Sequence, residues 1–158
     1  MSRANRVGLA VCLVLPLTVG MLGGLFTDAG PGSWYASLRK PGFTPPGWVF
    51  GPVWAVLYVL MGVAAFLVWR KGAAHRAVRS ALVLFAVQLA LNGLWSPAFF
   101  GLRSLAAGMV VIVLLWVVLV ATVVRFWRVS AAAGELLLPY LFWVSFALVL
   151  NAFLWAMN

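Results

Sequence analysis

Acidic residues are nearly missing: in 158 residues only Asp28 and Glu135 carry a carboxylate side chain, and histidine and cysteine occur once each, as His75 and Cys12. So small a set furnishes no Ser-His-Asp arrangement, no carboxylate pair and no metal-ligating cluster, so neither conventional hydrolysis nor a metal centre is expected. One cysteine cannot close an intrachain disulfide, and Cys12, inside an apolar run, reads as a small packing residue. His75 lies among Arg70, Lys71, Arg76 and Arg79 with no second ligand-type residue near it, and reads as a solvated residue rather than a haem ligand. Charge of either sign amounts to 8% of the chain, too little to clothe a water-soluble domain.

What fills the sequence instead is apolar: 66% of residues are hydrophobic, and the mean hydropathy is +1.11. Five apolar stretches, near residues 7–26, 50–69, 81–100, 105–126 and 136–157, are each about 20 residues long, enough to cross a hydrocarbon core about 30 Å thick. Backbone polar groups in lipid must be paired within the segment, so these stretches are expected as helices. The expected fold is therefore all-α, an integral membrane bundle of five transmembrane helices forming one domain over residues 1–158. The start, Met1-Ser-Arg-Ala-Asn-Arg6, followed by an apolar run, has the layout of a cleavable leader. No clear small-x-small site follows Gly24, so an uncleaved first helix is expected.

The net charge of +9 could suggest nucleic acid if its eleven basic residues formed one patch. They are instead dealt out between the apolar runs, as membrane-edge anchors, so no nucleic-acid partner is expected. Arg3, Arg6, Arg70, Lys71, Arg76, Arg79, Arg125 and Arg128 fall on one side, against Arg39, Lys40 and Arg103 on the other. The excess of cations on the cytoplasmic side of membrane proteins then places the N-terminus in the cytoplasm and the C-terminus outside.

The connection over 27–48 is the longest, with Pro31, Pro41, Pro45 and Pro46 interleaved with Gly30, Gly32, Gly42 and Gly47. Four prolines stiffen it and remove backbone donors. Trp34, Tyr35 and Trp48 each carry a large apolar body and one polar atom, suited either to a lid over a pocket or to an aromatic belt anchoring a surface loop at the interface.

Helical spacing sorts the spans into faces. Gln88, Asn92, Trp95 and Phe99 follow offsets of four, three and four, and amides facing lipid would be costly, so this stripe is expected to face the bundle interior. Trp54, Tyr58, Met61 and Ala65 make a comparable stripe on the second span, and Tyr140, Trp143, Ala147 and Asn151 on the fifth. Such stripes serve either as helix packing with amide glue or as the walls of an aromatic pocket. Ala86, Ala90, Gly93 and Pro97 form a small-residue stripe about 200° from the amides, and small residues let helices approach closely in lipid. That stripe is the expected interface of a homodimer, with Gly20 and Gly24 of the first helix as a rival pair better suited to packing inside the bundle.

Three motifs then carry a resemblance. Trp34-Tyr35-Ala-Ser-Leu38-Arg-Lys40-Pro41-Gly-Phe-Thr-Pro45-Pro46-Gly-Trp48-Val-Phe50, followed by Pro52-Val-Trp54 and Tyr58, resembles the translocator protein family, also called tryptophan-rich sensory protein or peripheral benzodiazepine receptor. The resemblance continues in Gln88-Leu-Ala-Leu-Asn92-Gly-Leu-Trp95-Ser-Pro-Ala-Phe99-Phe100 and in Pro139-Tyr140-Leu-Phe-Trp143-Val-Ser-Phe-Ala147-Leu-Val-Leu-Asn151, so it covers nearly the whole chain. It implies a five-helix fold, usually homodimeric, that binds tetrapyrroles and, in many members, sterols and synthetic isoquinoline or benzodiazepine ligands. It favours the pocket over plain packing and implies a site made from Trp34, Tyr35, Trp48, Trp54, Tyr58, Gln88, Asn92, Trp95, Phe99, Tyr140, Trp143 and Ala147. Porphyrin or haem is then expected as a ligand rather than as an obligatory cofactor, with Arg39 and Lys40 near enough in sequence to meet its propionates.

The resemblance also implies two other readings: light- and oxygen-dependent porphyrin breakdown, with Trp54 and Trp143 as oxidisable neighbours of an excited ligand, and transport of a tetrapyrrole or sterol. The spans show no repeat and no embedded charge of the kind coupled carriers use. Family members with strong sterol binding carry a tyrosine followed by a basic residue near the end of the fifth helix. The tail from Leu150 to Asn158 lacks both, so sterols stand behind tetrapyrroles as expected ligands. A membrane tetrapyrrole sensor or regulator is the expected function. A bacterial cell membrane is the expected location, with an outer membrane as the alternative.

Overall fold

The computed structural model of the chain describes residues 2–158, and among them all regular structure is helical. Five long helices are apolar enough to cross a membrane: α1 (Arg3–Gly24), α3 (Phe50–Trp69), α4 (Arg76–Ser96), α5 (Leu105–Val129) and α6 (Ala131–Met157), with one short helix, α2 (Trp34–Ser37), in the connection after α1. The chain is thus an all-α, multi-pass membrane bundle.

The helices outrun the apolar stretches at their charged ends. The Ser2 hydroxyl accepts from the Asn5 N–H (3.2 Å) and starts α1 ahead of Arg3 and Arg6. Likewise α4 begins at Arg76, and α5 runs on through Arg125 and Arg128 to Val129. Long basic side chains let a helix continue past the hydrocarbon because their charged heads reach water while their stems stay apolar. The turn between α5 and α6 is consequently a single residue, Ser130, whose carbonyl accepts from the N–H groups of Ala133 and Gly134 at 3.1 Å each.

At the other face Ser104 caps α5, accepting from the Ala107 N–H at 3.1 Å. The stretch Pro97–Gly101 closes α4 as a wide π turn, and Arg103 takes a positive φ of 49° to reverse the chain. The connection over 27–48 is more ordered than a plain loop. Ser33 caps α2 through the Ala36 N–H (3.1 Å), and a 3₁₀ turn, Gly47–Val49, leads into α3.

Side by side, the helices close a ring: α1 touches α3 and α4, α3 touches α6, α6 touches α5, and α5 returns to α4. Two apolar clusters fill it. The larger includes Met61, Ala64, Val68, Phe85, Leu119, Phe126 and Leu137, and the smaller joins Tyr35, Phe99, Leu150 and Leu154 beneath the 27–48 connection. Apolar side chains such as Val14, Val56, Val87, Val117 and Phe142 remain exposed on the outside, as lipid contact demands.

Candidate functional site

A cavity of about 690 Å³ reaches from the buried Ile112, Leu115 and Val144 to the buried Tyr35, Phe99, Leu150 and Leu154, which belong to the two clusters. That volume lies within the range of about 300–1,000 Å³ typical of small-molecule sites. Of the residues expected at the site, Tyr35, Trp48, Trp54, Tyr58, Asn92, Trp95, Phe99, Trp143 and Ala147 line it.

The other three stand one layer back. Trp34 sets its ring edge against Phe99 (centroids 5.6 Å apart) and supports the wall from outside. Gln88 and Tyr140 are fully buried beneath the cavity, in a hydrogen-bond chain that joins three helices. There the Tyr58 hydroxyl donates to Asn92 Oδ1 (2.7 Å), and Asn92 Nδ2 donates to the Tyr140 hydroxyl (2.9 Å). Tyr140 in turn donates to Gln88 Oε1 (2.9 Å), and Gln88 Nε2 points at Met61 Sδ (3.9 Å). Both amides face the bundle interior, as the spacing led one to expect. Gln88 lies one helical turn deeper than Asn92, where Tyr140 takes up its oxygen, and only Asn92 reaches the space.

Nine of the lining residues are aromatic. Trp54 stacks on Tyr58 (5.4 Å, 26° between planes), Trp95 stacks on Phe99 (4.9 Å, 22°), and Trp143 stands nearly edge-on to Phe50 (5.8 Å, 72°). Three buried polar atoms of lining residues lack a hydrogen-bond partner among the described residues: the indole N–H groups of Trp95 and Trp143, and Asn151 Oδ1. Asn151 spends its amide nitrogen on the Leu105 carbonyl (3.2 Å), which leaves the oxygen as a spare acceptor. All three atoms are packed against protein rather than open to the cavity, and Asn151 Oδ1 turns toward Gly108, where an added Cβ would lie 3.1 Å away. The lining also includes the polar residues Thr27, Tyr58, Asn92 and Ser96.

Above the cavity lies the 27–48 connection. Tyr35 is buried against Phe99 and Phe100 (6.2 and 5.7 Å between centroids), and burial pushes its phenol above the ordinary value. Lys40 sits 4.7 Å over the Tyr35 ring and donates to the carbonyls of Ala36 (3.1 Å) and Leu38 (3.2 Å). Its ammonium thus ties the connection to itself, with one of its three donors left over. Arg39 is fixed through its main chain by Asn158 from the end of α6. Trp48, expected in the lid, instead stands at its edge and is 77% exposed.

The small-residue stripe of α4 does not face one way. Ala86 and Ala90 are exposed, but a Cβ at Gly93 would come within 2.9 Å of Val19, because α1 crosses there, and Pro97 is half-buried at the π turn. Gly20, the rival, packs inside the bundle against the Tyr58 ring.

Sequence reasoning missed the walls supplied by α1 (Leu17, Gly20) and α5 (Ile112, Leu115), together with Phe50. A signal was present in α5: Gly108, Ile112, Leu115, Leu119 and Thr122 follow offsets of four, three, four and three, and all are buried.

The TspO/MBR family model matches residues 12–156. The chain is 50% identical over 144 residues to the tryptophan-rich protein TspO of Chlorobaculum tepidum, covering 90% of each chain. It is 42% identical to protein CrtK of Rhodobacter capsulatus, over 94% of this chain and 91% of the relative. The human translocator protein is 44% identical over 127 residues, 79% of this chain and 75% of the relative.

Proposed function

Because the chain belongs to the TspO/MBR family, we propose that it is a membrane sensor or regulator that binds tetrapyrroles in the cavity beneath the lid, with isoquinoline or benzodiazepine compounds as further hydrophobic ligands. One observation carries this reading: a cavity of about 690 Å³ is lined by Trp48, Trp54, Trp95 and Trp143, with Trp54 and Trp95 stacked on ring neighbours and the polar Tyr58 and Asn92 in the same lining. A porphyrin offers flat apolar faces to the indoles and carboxylates at its edge to hydrogen-bond donors. We place it in a bacterial cell membrane, and the charge distribution supports a cytoplasmic N-terminus. A homodimer would use the exposed Ala86 and Ala90 face of α4. Titration of the purified protein with protoporphyrin in darkness, read by tryptophan quenching, tests the reading. Saturable binding without loss of the Soret band is the expected result, and absence of saturable binding overturns it.

Photooxidative breakdown is the second reading, favoured by Trp54, whose ring stacks on Tyr58 and lies 6.0 Å from that of Tyr140, at the cavity wall. Under light and oxygen, Trp54→Phe and Trp143→Phe would then keep much of the binding but lose conversion of the Soret band. Equal bleaching in wild type, both variants and empty detergent would mean solution photochemistry.

A further inference from the structure

We propose that ligands reach the cavity sideways from the bilayer, through a slot between the last turn of α1 and the first turns of α3. The slot rests on the ligand-binding reading above and adds to it the source of the ligand: a molecule dissolved in lipid rather than in water.

Sorting the cavity wall by exposure locates the opening. Every lining residue from α4, α5 and α6 is buried or half-buried. The exposed ones all come from α1, the connection after it, and the start of α3. Five of them face each other across one seam: Met21 and Gly24 on α1, and Trp48, Gly51 and Ala55 on the other side. Met21 is 75% exposed while lining the cavity, which a closed wall does not allow.

Below the slot the same two helices are zipped shut. A Cβ at Gly20 would overlap the Tyr58 ring, one at Gly8 would overlap Trp69, and one at Gly62 would come within 2.7 Å of the Cys12 carbonyl. Above Gly20 the zip ends: a Cβ at Gly24 or Gly51 would meet nothing within 4 Å. Four residues separate Gly20 from Gly24 and Gly51 from Ala55, which makes the gap about 6 Å high at 1.5 Å per residue.

The surroundings of the slot are apolar. Leu22 on α1 and Val56 and Val59 on α3 stand exposed on membrane-spanning helices, and Leu25 is exposed just past the end of α1. Acyl chains therefore cover the mouth, with the Trp48 indole at the level of the interface. The other exposed lining residues, Thr27, Gly30 and Gly47, lie in the connection at the upper end of the slot, while over the rest of the cavity Tyr35 packs on Phe99 and Phe100 and Arg39 and Lys40 are hydrogen-bonded in place.

The test uses protein reconstituted in phosphatidylcholine vesicles with protoporphyrin as probe, read by stopped-flow tryptophan quenching. Gly24→Phe and Gly51→Phe fill the slot where the backbone has room for a side chain, and circular dichroism checks that the helices persist. Each should slow both association and dissociation by about tenfold, because a doorway alters rates in both directions and a binding wall alters mainly dissociation. Asn158→Ala, which loosens the lid, should leave the rates unaltered. Two results overturn the slot alone: unchanged rates in both glycine variants, or a loss of affinity carried by dissociation. Faster association in Asn158→Ala with no effect of the glycine variants places the route over the lid. Absence of equilibrium binding in the wild type overturns the tetrapyrrole reading and the slot with it.

Discussion

The side-chain amide of Asn158 closes on the main chain of Arg39 from both sides: the Arg39 N–H donates to Oδ1 at 2.9 Å, and Nδ2 donates to the Arg39 carbonyl at 3.0 Å. Residues 119 positions apart are paired as neighbouring strands would be, and the end of α6 becomes an anchor for the lid. Asn158→Ala should release residues 34–40, at a cost of about 0.5–1.5 kcal/mol for each hydrogen bond and near the lower figure because the site is exposed. Hydrogen exchange should quicken in the lid and stay unchanged in α3 to α6.

The lid should also respond to alkali. Burial raises the Tyr35 phenol above its ordinary value of 10.0, so the closed lid holds a proton that an open lid gives up more readily. Closure is then fully stable below pH 10.0 and weakens as pH rises from there toward the raised value of the closed state. A nitroxide at position 37, in a Cys12→Ser background, should gain mobility above that pH, and Tyr35→Phe should abolish the change.

Beneath the cavity, Tyr140→Phe deletes one hydroxyl but strands two groups, Asn92 Nδ2 and Gln88 Oε1. With each unmet buried group costing about 1–3 kcal/mol, the variant should lose more stability than Ser145→Ala, which strands only the Trp116 N–H at a half-buried position. Thermal unfolding of both variants in one detergent gives the comparison. Equal losses would mean that the chain is not held as drawn.

In the cavity itself, Trp143→Ala removes a stacking face and should weaken protoporphyrin binding by about 1 kcal/mol or more, while Trp143→Phe keeps a ring and loses only the N–H donor. Ala147→Leu adds bulk to a half-buried wall position and should reduce binding without unfolding an apolar bundle. Normal binding by well-folded Ala147→Leu would move the ligand elsewhere.

On the outer face of α4, Ala90→Leu should push protomers apart, read as a loss of cross-linked dimer in membranes. Gly93→Leu should instead disturb the bundle, because Val19 of α1 occupies the space. A dimer unaffected by Ala90→Leu would exclude this face.

Much of this architecture was legible in the amino-acid order, for physical reasons. Lipid leaves helix as the only economical backbone, so five apolar runs meant five helices. Helix ends were harder, because Arg3, Arg76 and Arg128 read as loop yet continue the helix while their heads reach water. Faces could be assigned where amides and aromatics broke the apolar monotony, as along Gln88, Asn92, Trp95 and Phe99. α1 offered no such contrast, and its part in the wall stayed hidden. Gly93 misled because a glycine stripe shows that something approaches closely, but not whether the visitor is a second copy or the helix next door.

The chain from Tyr58 through Asn92 and Tyr140 to Gln88 has a further consequence, one of register. Apolar helices in lipid can slide past one another by a turn, about 5.4 Å, and bury nearly the same surface, so packing alone distinguishes poorly between neighbouring alignments. A sequence of donors and acceptors drawn from α3, α4 and α6 is satisfied in full in the alignment seen. Sliding α4 by a single turn would put one amide at the level of the other but leave Tyr140 with one amide partner in place of two, and the displaced amide in a medium without water to pair it. The vertical alignment of these three helices, and with it the height of the cavity floor, is therefore set by four side chains.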